Sequence, residues 1–445
     1  MKDLTQGSIY RHLLAMAAPI AAGMLLQTLY YVVDLYFVAQ LGDAALAGVS
    51  AAGNAMFIVL ALTQMLGVGT VALMSHAVGR KDRKDANHIF NQSVALSAVC
   101  AIVTIVGGYG LSGAYMGLLG ADAATKAAGV TFLYWFTPGL ALQFALVVMG
   151  SALRGTGIVK PTMMVQALTV LLNTILAPVL IAGWGTGHPL GVAGAALASS
   201  IAVVVGVVLM AIYFVRLEQY VEFDRTQWRP QLGTWRRMLN IGLPAGGEFA
   251  LMAVYISVVY WIIRDFGSAA QAGFGIGSRV MQAIFLPAMA IAFAAAPIAG
   301  QNFGAKHPMR VRETFRAAAF ASSTIMAALT LLCQWQGQWL IRLFSSDPQV
   351  IRVGAEYLLV VSWNFVAVGL VFTASSLFQA LGNTWPSLLS SAVRLVIFVA
   401  PAIWLSRRPG FQIVDAWYLS VATVLLQAIV SLLLLRMQFR TRLRA

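Results

Sequence analysis

A single carboxylate, Asp34, lies deep in the first long apolar segment of this chain. An ionisable side chain inside an apolar span is costly, and it therefore usually marks an ion or substrate path. No lysine or arginine lies at comparable depth in the first half of the sequence. We therefore expect Asp34 to exchange a proton or accept a cation, rather than only to accept hydrogen bonds from hydroxyl and amide groups.

Polar and aromatic residues recur every three to four positions before Asp34, which places them on one face of a helix. This face comprises Pro19, Gly23, Gln27, Tyr30, Tyr31 and Asp34. We expect Gln27, Tyr30 and Tyr31 to line a substrate cavity. A proline within a helix removes one backbone hydrogen bond and permits a bend. Pro19 is therefore a candidate hinge, and a static kink is the alternative.

The elements that carry these residues are predicted to be membrane helices. Hydrophobic residues make up 60% of the 445 positions and charged residues only 10%, against about 25% charged in soluble domains. Crossing a bilayer takes about 20 apolar residues, and the sequence contains twelve such runs, from about 13–40 to about 413–436. The sequence therefore predicts an all-α membrane protein with twelve transmembrane helices.

The second half of the sequence repeats the first half at a constant offset and without a gap. Matched pairs include Pro19 and Pro244, Gly42 and Gly267, Gly48 and Gly273, and Asp122 and Asp347, whereas Asp34 is matched by Val259. A duplicated hydrophobic unit is typical of secondary transporters. We expect two six-helix lobes related by pseudo-two-fold symmetry: an N-lobe (1–216), a cytoplasmic linker (217–235) and a C-lobe (236–445).

Charge and motifs exclude several classes of protein. The net charge is +14, but most lysines and arginines lie in short loops on the side of the N-terminus rather than on a separate basic surface, so we expect no nucleic-acid partner. Positively charged loops remain in the cytoplasm. We therefore expect an inner-membrane protein with both termini in the cytoplasm. Phosphate-binding loops, HExxH, paired CxxC and Gly-x-Ser-x-Gly motifs are missing from the sequence. We therefore expect neither an enzyme nor a cofactor.

The second half contains four intramembrane charges, namely Glu248, Arg279, Glu356 and Arg394. Two are acidic and two are basic, so they can neutralise one another. We expect Glu248 to pair with Arg279 and Glu356 with Arg394, mainly in a structural role.

Several of these motifs resemble the multidrug and toxic compound extrusion (MATE) family, in its prokaryotic DinF-like branch. The resemblance covers residues 10–438 and includes Val32-Val33-Asp34, Gly194-Ala-Ala-Leu-Ala-Ser199, and Arg154-Gly-Thr-Gly157 followed by Pro161. It implies a V-shaped, two-lobed monomer that exports drugs or other amphipathic cations in exchange for H⁺ or Na⁺ by alternating access.

The resemblance also implies roles for individual residues. Asp34 matches the coupling carboxylate of the family, and Pro19 matches the position at which the helix bends. Tyr30 matches an aromatic residue that faces the cavity. Asn173 and Ser199 match the amide and the hydroxyl of the same site. Relatives often carry a second aspartate where this chain has Ala177. One carboxylate makes a poor sodium site, so we favour proton coupling, with Na⁺ at Asp34, Asn173 and Ser199 as the alternative.

Other functions remain open at this point. A lipid or oligosaccharide-lipid flippase of the same superfamily would need cationic side chains for phosphate groups, for which Arg279 and Arg394 are candidates. A membrane-embedded enzyme would need a catalytic cluster that the sequence does not suggest, and a scaffold without transport would leave Asp34 unexplained.

Overall fold

The computed structural model describes residues 1–119 and 122–443, apart from the side chain of Tyr31. Within these ranges the chain is helical. Its α-helices are α1 Ile9–Ala39, α2 Asp43–Gly79, α3 Arg83–Leu119, α4 Ala123–Gly155, α5 Lys160–Ala182, α6 Val192–Arg216, α7 Leu232–Ile263, α8 Ser268–Gly304, α9 Pro308–Arg342, α10 Pro348–Val361, α11 Phe365–Ala380, α12 Trp385–Ser406 and α13 Ile413–Arg442.

These helices form twelve spans, counted over the described ranges, that are long and apolar enough to cross a bilayer. This confirms the predicted fold class and number of spans. One span, Pro348–Ala380, contains a short 3-10 turn between α10 and α11. Side chains of α9 bind the carbonyls at this break: Thr330 donates to Ser362 (2.9 Å) and Gln334 to Leu359 (2.7 Å). Backbone groups in lipid need such internal partners, so α9 stabilises the interrupted span.

The internal repeat of the sequence reappears in the backbone torsions. Gly42 and Gly267 precede α2 and α8 with φ of 102° and 91°, and Lys81 and Lys306, after the same two helices, have φ of 58° and 59°. Glycine reaches positive φ without the steric cost of a Cβ atom. Because these unusual torsions occur in register, the two halves are copies of one helical unit.

Helix crossings are also shared by the two halves. A Cβ atom on Gly48 of α2 would lie 2.6 Å from the carbonyl oxygen of Thr125 in α4. In the second half, a Cβ on Gly273 of α8 would lie 3.0 Å from the carbonyl oxygen of Val350 in α10. The second and fourth spans of each half therefore pack backbone to backbone at the same glycine position.

The helices form two compact units. Unit 1 comprises residues 1–3 and 22–242, and unit 2 comprises residues 4–21 and 243–445. The start of α7 therefore belongs to unit 1, whereas the predicted C-lobe began at 236. The start of α7 belongs to unit 1 because it packs closely on α2. A Cβ on Gly69 of α2 would lie 2.5 Å from the carbonyl oxygen of Met238 in α7. A Cβ on Gly242 of α7 would collide with the carbonyl oxygen of Met65 in α2.

The predicted linker is held against α3 by amide side chains. Asn91 donates to the carbonyl oxygen of Glu222 (2.9 Å), and Gln92 donates to that of Arg229 (2.9 Å). Both amides are fully buried. Because these bonds satisfy backbone groups of an irregular segment, the linker is a packed part of unit 1.

The ion pairs predicted for unit 2 are wrong. Ion pairs within residues 1–119 and 122–443 include Arg80–Asp85 and Arg264–Asp265. Neither Glu248–Arg279 nor Glu356–Arg394 forms. Arg279 is exposed, and Arg394 instead stacks on an aromatic ring, so each cation has a different environment from the one expected.

Candidate functional site

Three predicted site residues of unit 1 meet where α1 contacts α5 and α6. The hydroxyl of Tyr30 donates to Ser199 Oγ (2.5 Å), and Asn173 Nδ2 also donates to Ser199 Oγ (3.3 Å). Asn173 and Ser199 are buried, and Tyr30 is half-buried. We call these three residues the hydroxyl–amide layer.

Small residues allow α6 to bring Ser199 to this position. A Cβ on Gly194 would collide with the carbonyl oxygen of Leu180 at the end of α5. Only glycine permits such close backbone contact. The small-residue run that begins α6 therefore seats it on α5, within hydrogen-bond distance of Asn173.

Asp34 lies one helical turn beyond the hydroxyl–amide layer on the same face of α1. It is half-buried, and its Oδ1 atom is buried without a hydrogen-bond partner in the described part of the chain. Asn173 Oδ1, which belongs to the layer itself, is also buried and unpartnered among the described residues. A buried acceptor without a donor costs about 1–3 kcal/mol. Two such acceptors favour binding of a proton or a cation.

An apolar cluster follows the carboxylate. Val38 lies one turn after Asp34, Ala177 lies one turn after Asn173, and both belong to one buried cluster with Ala195. Asp34 therefore lies along α1 between the hydroxyl–amide layer and an apolar cluster. Burial beside apolar groups strengthens the interaction of a carboxylate with a bound proton or cation.

A glutamine pair lies on the other side of the layer. Gln166 of α5 donates from Nε2 to Gln27 Oε1 (3.3 Å), and a Cβ on Gly23 would lie 2.7 Å from Gln166 Oε1. Gln27 itself is exposed. Gln166 is not among the predicted site residues, although its position seven residues before Asn173, on the same face of α5, is a signal in the sequence for its place beside the site.

The candidate hinge residue is not part of this arrangement. Pro19 lies in the continuous helix α1, in the portion that belongs to unit 2. The side chain of Tyr31 lies outside the described residues. The carboxylate and the candidate hinge therefore share one helix but belong to different units.

The oxygen atoms near Asp34 limit the cations that unit 1 could bind. Among the residues that the structure describes, no group of three or more histidine, cysteine, aspartate or glutamate side chains could hold a metal ion. The side-chain oxygen atoms of the predicted site that are buried and unpartnered among the described residues are Oδ1 of Asp34 and Oδ1 of Asn173.

The equivalent positions in unit 2 do not form such a site. Tyr30 corresponds to Tyr255, which is also aromatic, but Asp34, Asn173 and Ser199 correspond to apolar residues, namely Val259, Phe398 and Val424. All three apolar residues are buried. The ring of Tyr255 packs against that of Phe398, with centroids 4.8 Å apart. The acidic polar site is therefore specific to unit 1.

The MatE family model matches this chain twice, over residues 19–179 and 244–405, more than two thirds of the sequence. The two matches begin at Pro19 and Pro244, which are a matched pair of the internal repeat.

The probable multidrug resistance protein YpnP of Bacillus subtilis is 26% identical over 93% of this chain and 90% of its own length. The FAD transporter of Shewanella oneidensis is 25% identical over 90% of this chain and 89% of its own length.

Solved structures share the fold. The outward-facing structure of a multidrug resistance MATE family transporter of the MOP superfamily superposes with a TM-score of 0.93, covering 99% of this chain and 98% of that one, at 22% identity. At this level of identity, the similarity establishes the fold of the chain.

Proposed function

The chain belongs to the MatE family of membrane transporters, and we propose that it exports amphipathic or cationic organic compounds in exchange for protons. The protein is a multi-pass membrane transporter and not an enzyme. Export proceeds by alternating access, in which proton and substrate occupy the carrier in different conformations. The relatives named for multidrug resistance support this substrate class.

Asp34 is the proposed coupling residue. The observation that carries this assignment is its buried Oδ1 atom, which has no hydrogen-bond donor among the described residues. Protonation supplies a hydrogen-bond donor and removes a charge from an apolar surrounding. Asp34 lies one turn from Tyr30, so a change in its charge acts directly on the hydroxyl–amide layer. The proposed hinge at Pro19 lets α1 bend in response.

The oxygen atoms of unit 1 support protons over sodium as the coupling ion. A hard cation prefers several oxygen ligands, including carboxylates. Asp34 supplies one carboxylate and Asn173 one unpartnered amide oxygen, and the next turn of α5 carries the buried, apolar Ala177. Sodium binding at Asp34, Asn173 and Ser199 is the alternative.

The distribution of basic residues supports an orientation. Most loop lysines and arginines lie on the side of the N-terminus, and positively charged loops remain in the cytoplasm. We therefore propose a cytoplasmic membrane protein with both termini inside the cell, working as a monomer.

A lipid flippase of the same superfamily is a second candidate. It is favoured by Arg394, which has no carboxylate within 4.0 Å in the described ranges and could bind a phosphate group. Translocation of a fluorescent phospholipid in vesicles, without ethidium transport, would support this function over drug export.

The deciding experiment for export is ethidium efflux from proteoliposomes, with a pH gradient and a sodium gradient imposed separately. We expect the pH gradient alone to drive transport. Transport that requires the sodium gradient would indicate that Na⁺, and not a proton, is the coupling ion at the same site. Absence of transport under both gradients would favour the flippase.

A further inference from the structure

Unit 2 contains a cation that has no carboxylate partner within the described ranges. Arg394 of α12 is half-buried, and its Nε atom is buried without a hydrogen-bond partner among the described residues. Its guanidinium carbon lies 4.7 Å from the ring centroid of Tyr255 in α7. This cation–π contact offsets part of the cost of burial, but it leaves the guanidinium N–H groups without a charged acceptor.

The Tyr255 ring under the guanidinium is itself positioned by two other helices. Its hydroxyl oxygen lies 2.8 Å from Ser420 Oγ of α13, and its ring packs on Phe398, one turn after Arg394 on α12. Three helices therefore orient one aromatic ring beneath the cation. A fixed arginine is better suited than a mobile one to bind an anion, because less side-chain entropy is lost on binding.

The nearest acidic side chain on α7 is poorly placed to neutralise this cation. Glu248 lies two turns before Tyr255, which separates the two levels by about 10 Å along the helix. Closer to Arg394, the polar neighbour on its own helix is Ser391, one turn earlier, which accepts a hydrogen bond from Gln427 of α13 (3.1 Å). The neighbours of Arg394 on α7 and α12 are thus aromatic and hydroxyl-bearing, and Glu356 of α10 forms no ion pair with it in the described part of the chain.

We propose that Arg394 and Tyr255 form an anion subsite that binds the phosphate or carboxylate group of an aromatic compound. The planar guanidinium matches the oxygens of these groups in pairs, and the apolar, aromatic surroundings favour an anion attached to an organic body over a fully hydrated ion. The inference rests on the proposed export function and extends its substrate class from cations to compounds that carry an anionic group.

The test compares two fluorescent compounds that differ by one phosphate, riboflavin and riboflavin 5′-phosphate. Their binding to the purified full-length protein in phosphatidylcholine nanodiscs is measured by fluorescence quenching. We expect the phosphate to tighten binding about tenfold, equivalent to about 1.4 kcal/mol. Arg394→Gln should remove this preference and leave riboflavin binding unchanged, whereas Arg394→Lys should retain part of it. The matched control is Arg342→Gln, which removes an exposed arginine at the end of α9 in the same unit and should keep the preference.

Several outcomes would overturn the proposal. Equal affinity of the wild-type protein for both compounds does so without any variant, and this measurement decides the question if Arg394→Gln fails to fold. A lower melting temperature of Arg394→Gln with an unchanged preference would assign Arg394 to helix packing through Tyr255. A loss of riboflavin 5′-phosphate binding in phosphatidylglycerol nanodiscs that is much larger for the wild-type protein than for Arg394→Gln would assign the subsite to a lipid headgroup, since the negative surface of the bilayer repels the phosphate equally in both proteins. Because no ion gradient is used, failure here is distinguishable from failure of ethidium export.

Discussion

The two halves of the molecule have similar backbones but carry chemically different side chains at matched positions. Positions matched by the internal repeat have the same turns and the same glycine crossings. Unit 1 carries Asp34, Asn173 and Ser199 at three positions of the candidate site, and unit 2 carries Val259, Phe398 and Val424 at the matched positions. Repeated architecture is therefore compatible with a division of labour, in which ion coupling is proposed for unit 1.

Unit 2 carries its charges at positions that are uncharged in unit 1. Glu248 corresponds to Gly23, where a side chain would contact Gln166, and Arg394 corresponds to Thr169. Arg394 thus lies one turn before Phe398, the residue that corresponds to Asn173 of the unit 1 site. The two units therefore place charges of opposite sign at different positions of the same repeated fold.

The strongest test of this comparison removes the carboxylate of unit 1. Asparagine has the size of aspartate but does not titrate near neutral pH. Asp34→Asn should therefore insert and fold normally but lose pH-driven ethidium efflux completely. The measurement is efflux from proteoliposomes under a pH gradient, with protein amount and melting temperature determined in parallel.

A matched control for this variant is Asp43→Asn, which changes an exposed carboxylate at the start of α2. It should transport like the wild-type protein. Normal pH-driven efflux by Asp34→Asn would refute coupling through Asp34, and equal loss in both variants would indicate a general effect of charge.

A second test places the carboxylate in unit 2. Val259 is 1% exposed and belongs to the same buried cluster as Phe398. An unpaired charge at such a position costs about 3–5 kcal/mol, so Val259→Asp should lower the melting temperature well below that of Val259→Thr, which adds a hydroxyl without a charge. In the Asp34→Asn background, Val259→Asp should not restore efflux. Restored efflux would mean that the hydroxyl–amide layer is dispensable for coupling.

The spans and their duplication could be predicted from the sequence because both depend on local properties. About 20 apolar residues suffice to indicate a span, and paired prolines and glycines reveal a repeat without knowledge of contacts. The face of α1 that carries Tyr30 and Asp34 follows from helical periodicity in the same way.

Contacts between helices were harder to predict, because they depend on how each helix is rotated and shifted against its neighbours. The meeting of Asn173 with Ser199 depends on the close approach of Gly194 to Leu180, and only the family resemblance indicated it. Counting charges suggested that Arg394 pairs with a glutamate. The longitudinal register of α7 and α12 instead brings it onto Tyr255.

The smallest of the expected effects concerns the choice of ion. Ala177 is buried one turn after Asn173 and belongs to the same cluster as Val38, one turn after Asp34. A carboxylate at position 177 would add oxygen ligands and a negative charge beside the site, which favours a dehydrated cation. Ala177→Asp should therefore make ethidium efflux respond to a sodium gradient, with a gain of about tenfold in apparent sodium affinity, or about 1.4 kcal/mol. Ala177→Asn, which adds an oxygen without charge, should give a smaller gain. If sodium has no effect on the folded Ala177→Asp protein, the number of carboxylates does not determine which ion drives transport.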